Sequence, residues 1–206
     1  MPRTGAASTA RSRAGWRVAA PLRGRLLDVG CGTGDLLDAV VFSGVLEHLH
    51  DPVAAPCRAR ALLAPGGLVA VLFLPMLDSP EARLLGPRWM ALDLPRHLTH
   101  FEEATFREMA TKAGLDVAGR ETYSRRHNPA QLVGSLAPRL QKHRFYAAEN
   151  GPKTSAAARV TAVAQRVAFL AATIAARPVT RLAAAAGAPS MCSYFLEPAG
   201  GAGGKA

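Results

Sequence analysis

The sequence predicts an α/β fold, and three observations carry that prediction. Arg25-Leu26-Leu27-Asp28-Val29 is a short apolar strand that runs directly into Gly30-Cys31-Gly32-Thr33-Gly34. Further apolar runs alternate with helical segments, and the run from Leu68 to Leu74 reads as a strand covered on both faces, as in a parallel sheet. After Tyr123 the chain becomes Ala-rich, basic and helix-forming.

Residues 1–24 are rich in Ala, Arg, Ser and Gly without hydrophobic periodicity, so they read as a disordered basic lead-in. One domain is expected over residues 25–197, with a flexible glycine-rich tail over 198–206. Ala39-Val40-Val41-Phe42 is a second strand, leading into Ser43-Gly44-Val45-Leu46-Glu47-His48. Asp51-Pro52 supplies an N-cap with proline at the first helical position, opening a helix to about Leu63, although Pro56 weakens it. Ala64-Pro65-Gly66-Gly67 is a turn. Glu102 to Ala113 forms the next helix, stopped by Gly114, and Leu115 to Tyr123 is another strand. Residues 129–146 and 156–186 are broken by Pro138, Pro178 and Gly187, with Val160 to Ala176 helical and mostly apolar. Ser190 to Leu196 is a last strand.

Composition excludes several classes. At 206 residues and 49% hydrophobic, the chain buries a core of its own without staples. Three cysteines, Cys31, Cys57 and Cys192, form neither a disulfide framework nor a zinc spacing, and no metal cluster stands out. No uninterrupted apolar run reaches the roughly 18 residues of a membrane span, so a cytoplasmic protein without a transmembrane segment is expected. Charge is uneven. Residues 1–25 hold six arginines and no acid, residues 26–119 seven basic against twelve acidic side chains, and residues 120–196 eleven against two. The basic ends suit a solvated surface, or weak association with an anionic membrane. Nucleic-acid binding is not expected, since neither aromatic interleaving nor a recognition helix accompanies the charge.

Glycines in the first loop let the backbone turn tightly and approach a ligand closely. In its context, Leu26 to Gly34 resembles motif I of the class I S-adenosylmethionine-dependent methyltransferases. Asp38 to Leu49 resembles that family's fourth strand and following loop, and Leu62 to Leu68 the turn before its fifth strand. Pro95-Arg96-His97-Leu98-Thr99-His100-Phe101 is similar to a segment of the small-molecule branch, near the ubiquinone- and menaquinone-type enzymes. The resemblance implies a Rossmann-like sheet flanked by helices, parallel except for a reversed final strand. It implies S-adenosylmethionine as cofactor, held by Asp28, Gly30, Cys31, Gly32 and Gly34, with Ser43 and Gly44 near the adenosine and sulfonium. It also implies methyl transfer to a small-molecule acceptor; Ala-rich basic helices after residue 154 resting on a membrane surface would suit a lipid-linked one, packing against the sheet or a second subunit being the plainer reading.

The chain departs from the family between the first motif and the fourth strand, where only Asp35-Leu36-Leu37-Asp38 separates Gly34 from Ala39. A parallel crossover normally needs a dozen or more residues. Either a stretched return joins two parallel strands, or the two form an antiparallel hairpin. The missing block would carry the acid that binds the ribose, for which Asp35 or Asp38 are the local substitutes. The expectation is therefore an impaired, internally truncated methyltransferase, the alternative being a non-catalytic remnant that acts as a binding module.

Methyl transfer from a sulfonium is an in-line displacement, so alignment matters most and a general base assists hydroxyl or amine acceptors. Histidine titrates in the useful range. His48, His97 and His100 are the candidate catalytic residues, and His127 lies in a further loop expected near the pocket. Glu47 is a candidate to orient His48 or to bind the cofactor's amino group, a surface carboxylate at a helix end being the plainer reading. Tyr123, Arg125 and Arg126 are placed to hold an acidic or phosphorylated substrate, a solvated loop being the plainer reading. Acceptor identity and oligomeric state are not legible.

Overall fold

The computed structural model describes residues 26–28, 37–140 and 156–200. The lead-in, the glycines of residues 30–34, Asp35, residues 141–155 and the end of the tail lie outside the described residues. Five strands form one sheet in the order β1-β2-β3-β5-β4: β1 (Leu26–Asp28), β2 (Leu37–Ser43), β3 (Leu63–Pro75), β4 (Leu115–Glu121) and β5 (Met191–Pro198). β1, β2 and β3 pair in parallel, and β5 runs antiparallel to both β3 and β4. The sheet is thus mostly parallel with its last strand reversed, the Rossmann-like arrangement that the motifs imply.

β1 and β2 are direct parallel neighbours, with Leu26 opposite Ala39 and Asp28 opposite Val41. The antiparallel hairpin is therefore excluded, and residues 29–36 alone make the return. β2 begins at Leu37, two residues before the expected Ala39, because Leu37 pairs with Leu63 and its amide donates to the Leu62 carbonyl. The next pair is Ala39 with Leu68, so the expected Ala64–Gly67 turn is a bulge inside β3. Gly66 takes φ +78° at its tip. At Gly67 a Cβ would stand 2.9 Å from the Leu37 carbonyl oxygen, so only glycine lets the bulge close on β2.

The helices follow their capping residues. Asp51 Oδ1 accepts from the amides of Val53 and Ala54, but α1 (Ala54–Ala61) has Val53 at its N-cap. Pro52 therefore lies in the turn ahead of the helix and not at its first position, and the helix ends before Leu63, which joins β3. Pro56 sits in its first turn, where no amide donor is required, so this proline does not break the helix. Ser79 caps α2 (Pro80–Leu85) through a bond from the Ala82 amide, with Pro80 at the first position. α3 (Glu103–Lys112) ends where Gly114 adopts φ +71°. α4 (His127–Leu136) begins two residues before the expected Ala-rich stretch, so His127 is helical. α5 (Ala156–Ala185) continues through Pro178, against the expectation of a break. The proline forfeits one amide donor, while Thr173 and Thr180 bond back to the carbonyls of Phe169 and Ala176 within the same helix.

The main core lies between the sheet and α1 and α3, with Phe42, Leu46, Val69, Leu74, Phe106, Leu115, Tyr194 and Leu196 fully or almost fully buried. Phe106 stacks on Tyr194 at 3.9 Å. A second small cluster, Ala82, Trp89 and Ala91, organises the segment between β3 and α3. α5 packs on α4 with Phe169, Thr173 and Thr180 buried, while Val160, Val163, Val167, Leu170 and Ile174 are exposed. Residues Val160–Ala185 are long and apolar enough to cross a membrane by length and composition. Counting only uninterrupted runs overlooked this window, in which alanine and threonine space the larger apolar residues. A single helix of this kind is weak evidence of a span.

Candidate functional site

In open α/β sheets, ligands bind in the crevice beyond the carboxyl ends of the parallel strands. β2 ends at Ser43, which is exposed, and the Gly44 amide then donates to the Leu72 carbonyl of β3 at 3.2 Å. Gly44 has φ +61°, and a Cβ built there meets only Glu47 Oε1, at 3.9 Å. The backbone at this point is open to approach. A single 3-10 turn (Leu46–His48) follows, burying Leu46 and Glu47 and leaving His48 at the surface.

The expected catalytic histidines converge on this turn. The Leu98 and Thr99 amides both donate to the Glu47 carbonyl, at 2.8 and 3.1 Å, which ties the 95–101 segment to the end of β2. The His48 and His97 rings meet edge to face with centroids 4.7 Å apart, and His97 lies 6.2 Å from His100. Each ring is anchored through one nitrogen. His48 Nδ1 lies 2.9 Å from the Arg96 carbonyl, His97 Nδ1 2.7 Å from that of Ala91, and His100 Nε2 2.9 Å from that of Leu92. A carbonyl only accepts, so the anchoring nitrogen carries the proton and a neutral ring presents its lone pair on the other nitrogen. That leaves Nε2 of His48 and His97, and Nδ1 of His100, as bases or ligands.

Glu47, His48 and His97 bring ligand atoms within 4.8 Å of one another, a set able to hold a divalent cation. Sequence spacing did not show this set, since its members come from two loops far apart in the chain. Asp93 was also missed: it pairs with Arg96 at 2.7 Å and stands 3.9 Å from His97 Nε2. His127 belongs elsewhere. Its ring stacks on Phe73 at 3.8 Å, and its Nδ1 meets Ser124 Oγ at 2.9 Å, beside a cavity of about 110 Å³ lined by Tyr123 and Asn128. Of the expected cofactor residues, Ser43 and Gly44 stand at the crevice and Asp28 ends β1. Gly30, Cys31, Gly32 and Gly34 lie outside the described residues.

Charged groups elsewhere support the fold. Glu103 accepts from Tyr194 at 2.5 Å, Arg107 at 2.6 Å and Arg120 at 2.9 Å. Burial works to raise its pKa, but these three donors outweigh it and hold the carboxyl below its ordinary value. Burial raises the Tyr194 hydroxyl and pushes the Cys192 thiol up to about 11, so Cys192 is no nucleophile. Glu81 is raised to about 7 by burial, which the Ser190 and Trp89 side chains offset only in part.

Residues 35–118 match a family model described as a methyltransferase domain. No curated protein matches the chain. Solved structures similar to parts of it include an O-methyltransferase from neocarzinostatin biosynthesis in complex with S-adenosylhomocysteine and a dihydroxynaphthoic acid. That match is 28% identical with TM-score 0.35, covering 45% of this chain and 28% of that one. A sarcosine dimethylglycine methyltransferase, so described, from Galdieria sulphuraria is 13% identical with TM-score 0.44, covering 83% and 56%. The cyclopropane synthase MmaA2 of Mycobacterium tuberculosis is 17% identical with TM-score 0.42, covering 80% and 56%. The chain therefore spans little more than half the length of these relatives at most.

Proposed function

We propose that the chain is a methyltransferase of the small-molecule branch that uses S-adenosylmethionine and acts in the cytoplasm, with its cofactor half contracted. The observation that carries this reading is the convergence of Gly44, Glu47, His48, His97 and His100 beyond the carboxyl end of β2, in a sheet whose last strand is reversed. The match of residues 35–118 to a methyltransferase domain supports it.

The residues at the end of β2 fit the cofactor. Ser43 and Gly44 offer an exposed backbone that no Cβ obstructs, and the buried Glu47 carboxylate lies directly beside it. Bound there, the cofactor supplies an electrophilic methyl group. His48, exposed and anchored through Nδ1, takes the proton of a hydroxyl or amine acceptor on Nε2. His97, mostly covered, holds the His48 ring edge-on, and His100 fixes the same loop through Leu92. Asp28, with the loop of residues 30–34, would hold the methionine and ribose portions.

A second reading, a binding module without catalysis, is favoured by one feature. β1 and β2 are joined by residues 29–36 alone, too few to include the helix and strand that would present a ribose-binding acid. Hydrogen bonds to charged groups contribute about 1.5–3 kcal/mol each, so losing this partner weakens binding by roughly tenfold or more. Calorimetric titration of the folded chain with S-adenosylhomocysteine decides between the two. Micromolar binding, weakened by Gly44→Val, sustains the enzyme; absence of heat from a cooperatively unfolding protein leaves only the binding module.

A further inference from the structure

We infer that the trough between α4 and α5 binds an amphiphilic organic anion: a carboxylate or phosphate monoester carried on an apolar body. A cavity of about 530 Å³ lies there, within the roughly 300–1,000 Å³ of small-molecule sites. Its wall is apolar, with Phe169 and Leu170 prominent, and four arginines surround it. Arg125 and Arg126 come from the turn ahead of α4, and Arg166 and Arg177 from α5. The two α5 arginines are about 16 Å apart along the helix axis, so the trough is elongated.

Charge identifies the occupant. Among the described residues the ion pairs of cationic side chains engage Arg96, Arg107, Lys112 and Arg120, and none engages the four arginines of the trough. Residues 120–196 contain two acids, Glu121 and Glu149, against eleven basic side chains. Four guanidinium groups without a carboxylate partner repel one another, and an anion relieves that repulsion. Guanidinium forks match carboxylate and phosphate oxygens in pairs. Neutral hydrogen bonding is scarce on this wall, since the Thr173 hydroxyl already donates to the Phe169 carbonyl at 2.7 Å.

The apolar wall excludes a bare ion as the matching ligand. Leu170 is 58% exposed, and only a ligand with an apolar body covers it. Burying that surface contributes about 25 cal/mol per Å², which an inorganic ion does not gain. The inference rests on the trough alone and not on methyl transfer.

The test is calorimetric titration of the full chain at low salt with decanoate below its micellar range, and separately with inorganic phosphate, with decanol and with phosphatidylglycerol vesicles. All four arginines are exposed, so the Arg166→Gln/Arg177→Gln double variant should fold, which thermal unfolding checks. Decanoate is expected to bind, with phosphate and decanol at least about tenfold weaker, and the double variant should lose about tenfold or more in decanoate affinity. If that variant misfolds, Leu170→Ser serves instead: decanoate weakens while phosphate is unchanged. Phosphate binding as tightly as decanoate, decanoate binding indifferent to both variants, heat from vesicles alone, or no binding at all overturns the inference.

Discussion

His48 and His97 sit edge to face at 4.7 Å, and each donates through Nδ1 to a backbone carbonyl of the same loop, Arg96 for the first and Ala91 for the second. The pair is therefore fixed in tautomer as well as in place. Two rings so arranged differ in exposure: His48 is open to the crevice and His97 is mostly covered.

The difference separates their roles. His48→Gln should lower methyl transfer to a hydroxyl acceptor by about 10²- to 10⁴-fold, the usual contribution of a positioned base, without changing affinity for S-adenosylhomocysteine. His97→Gln should change kcat less than His48→Gln and shift the pH profile, because it acts by holding the His48 ring. Equal losses of kcat in the two variants, with an unchanged pH profile in His97→Gln, would contradict this division.

Tyr194 and Glu103 join the last strand to the start of α3 through a 2.5 Å hydrogen bond. Tyr194→Phe should destabilise the fold by about 1.5–3 kcal/mol, the range for a bond to a charged acceptor, measured by urea unfolding. Because Glu103 is held below its ordinary pKa, its contribution is present above the unfolded carboxyl range and is lost as pH falls through the folded value. Acid sensitivity should accordingly decrease in Tyr194→Phe, where one donor to the carboxylate is gone.

Much of this architecture is legible in the sequence, for local reasons. Asp51 and Gly114 mark helix ends by chemistry that acts within three or four residues, and the structure uses both. The apolar run of β3 and the last strand follow from burial patterns alone. Three things depend on distant partners and were not legible. The direction of β1 against β2 is set by the whole sheet, and the pairing of Glu47 with Leu98 and Thr99 joins residues about fifty positions apart. Arg166 and Arg177 read as solvated surface until α4 supplies the opposite wall. Pro178 misled because a proline near the end of a long packed helix costs less than its propensity suggests; tertiary contacts of Phe169, Thr173 and Thr180 hold the helix across it.

Gly67 tests the bulge that lets β3 meet β2. A Cβ there would stand 2.9 Å from the Leu37 oxygen and 3.0 Å from that of Ala64, and both obstacles are backbone. Gly67→Ala should therefore cost about 1–3 kcal/mol, as overpacking does. Gly66→Ala meets nothing within 4 Å and pays only for its φ of +78°, on the order of 1 kcal/mol. Denaturant midpoints should rank wild type above Gly66→Ala and Gly66→Ala above Gly67→Ala; the reverse order of the two variants would show that β3 passes the bulge differently.

Glu81 sets the pH dependence near neutrality. Burial raises its pKa to about 7, more than the nearby Ser190 and Trp89 side chains offset. In the unfolded chain the carboxyl ionises near its ordinary value of 4.5. Between these two values the folded state binds more protons than the unfolded state, so stability falls as pH rises through this window and levels off above it. The fall is on the order of 3 kcal/mol at most. Glu81→Gln removes the ionisation and should flatten the curve, leaving the variant more stable than wild type at pH 8 and no more stable at pH 4.5. Thermal unfolding of both proteins across pH 4.5 to 8 measures the effect. Parallel curves for the two proteins would mean that Glu81 keeps its ordinary pKa through access to water.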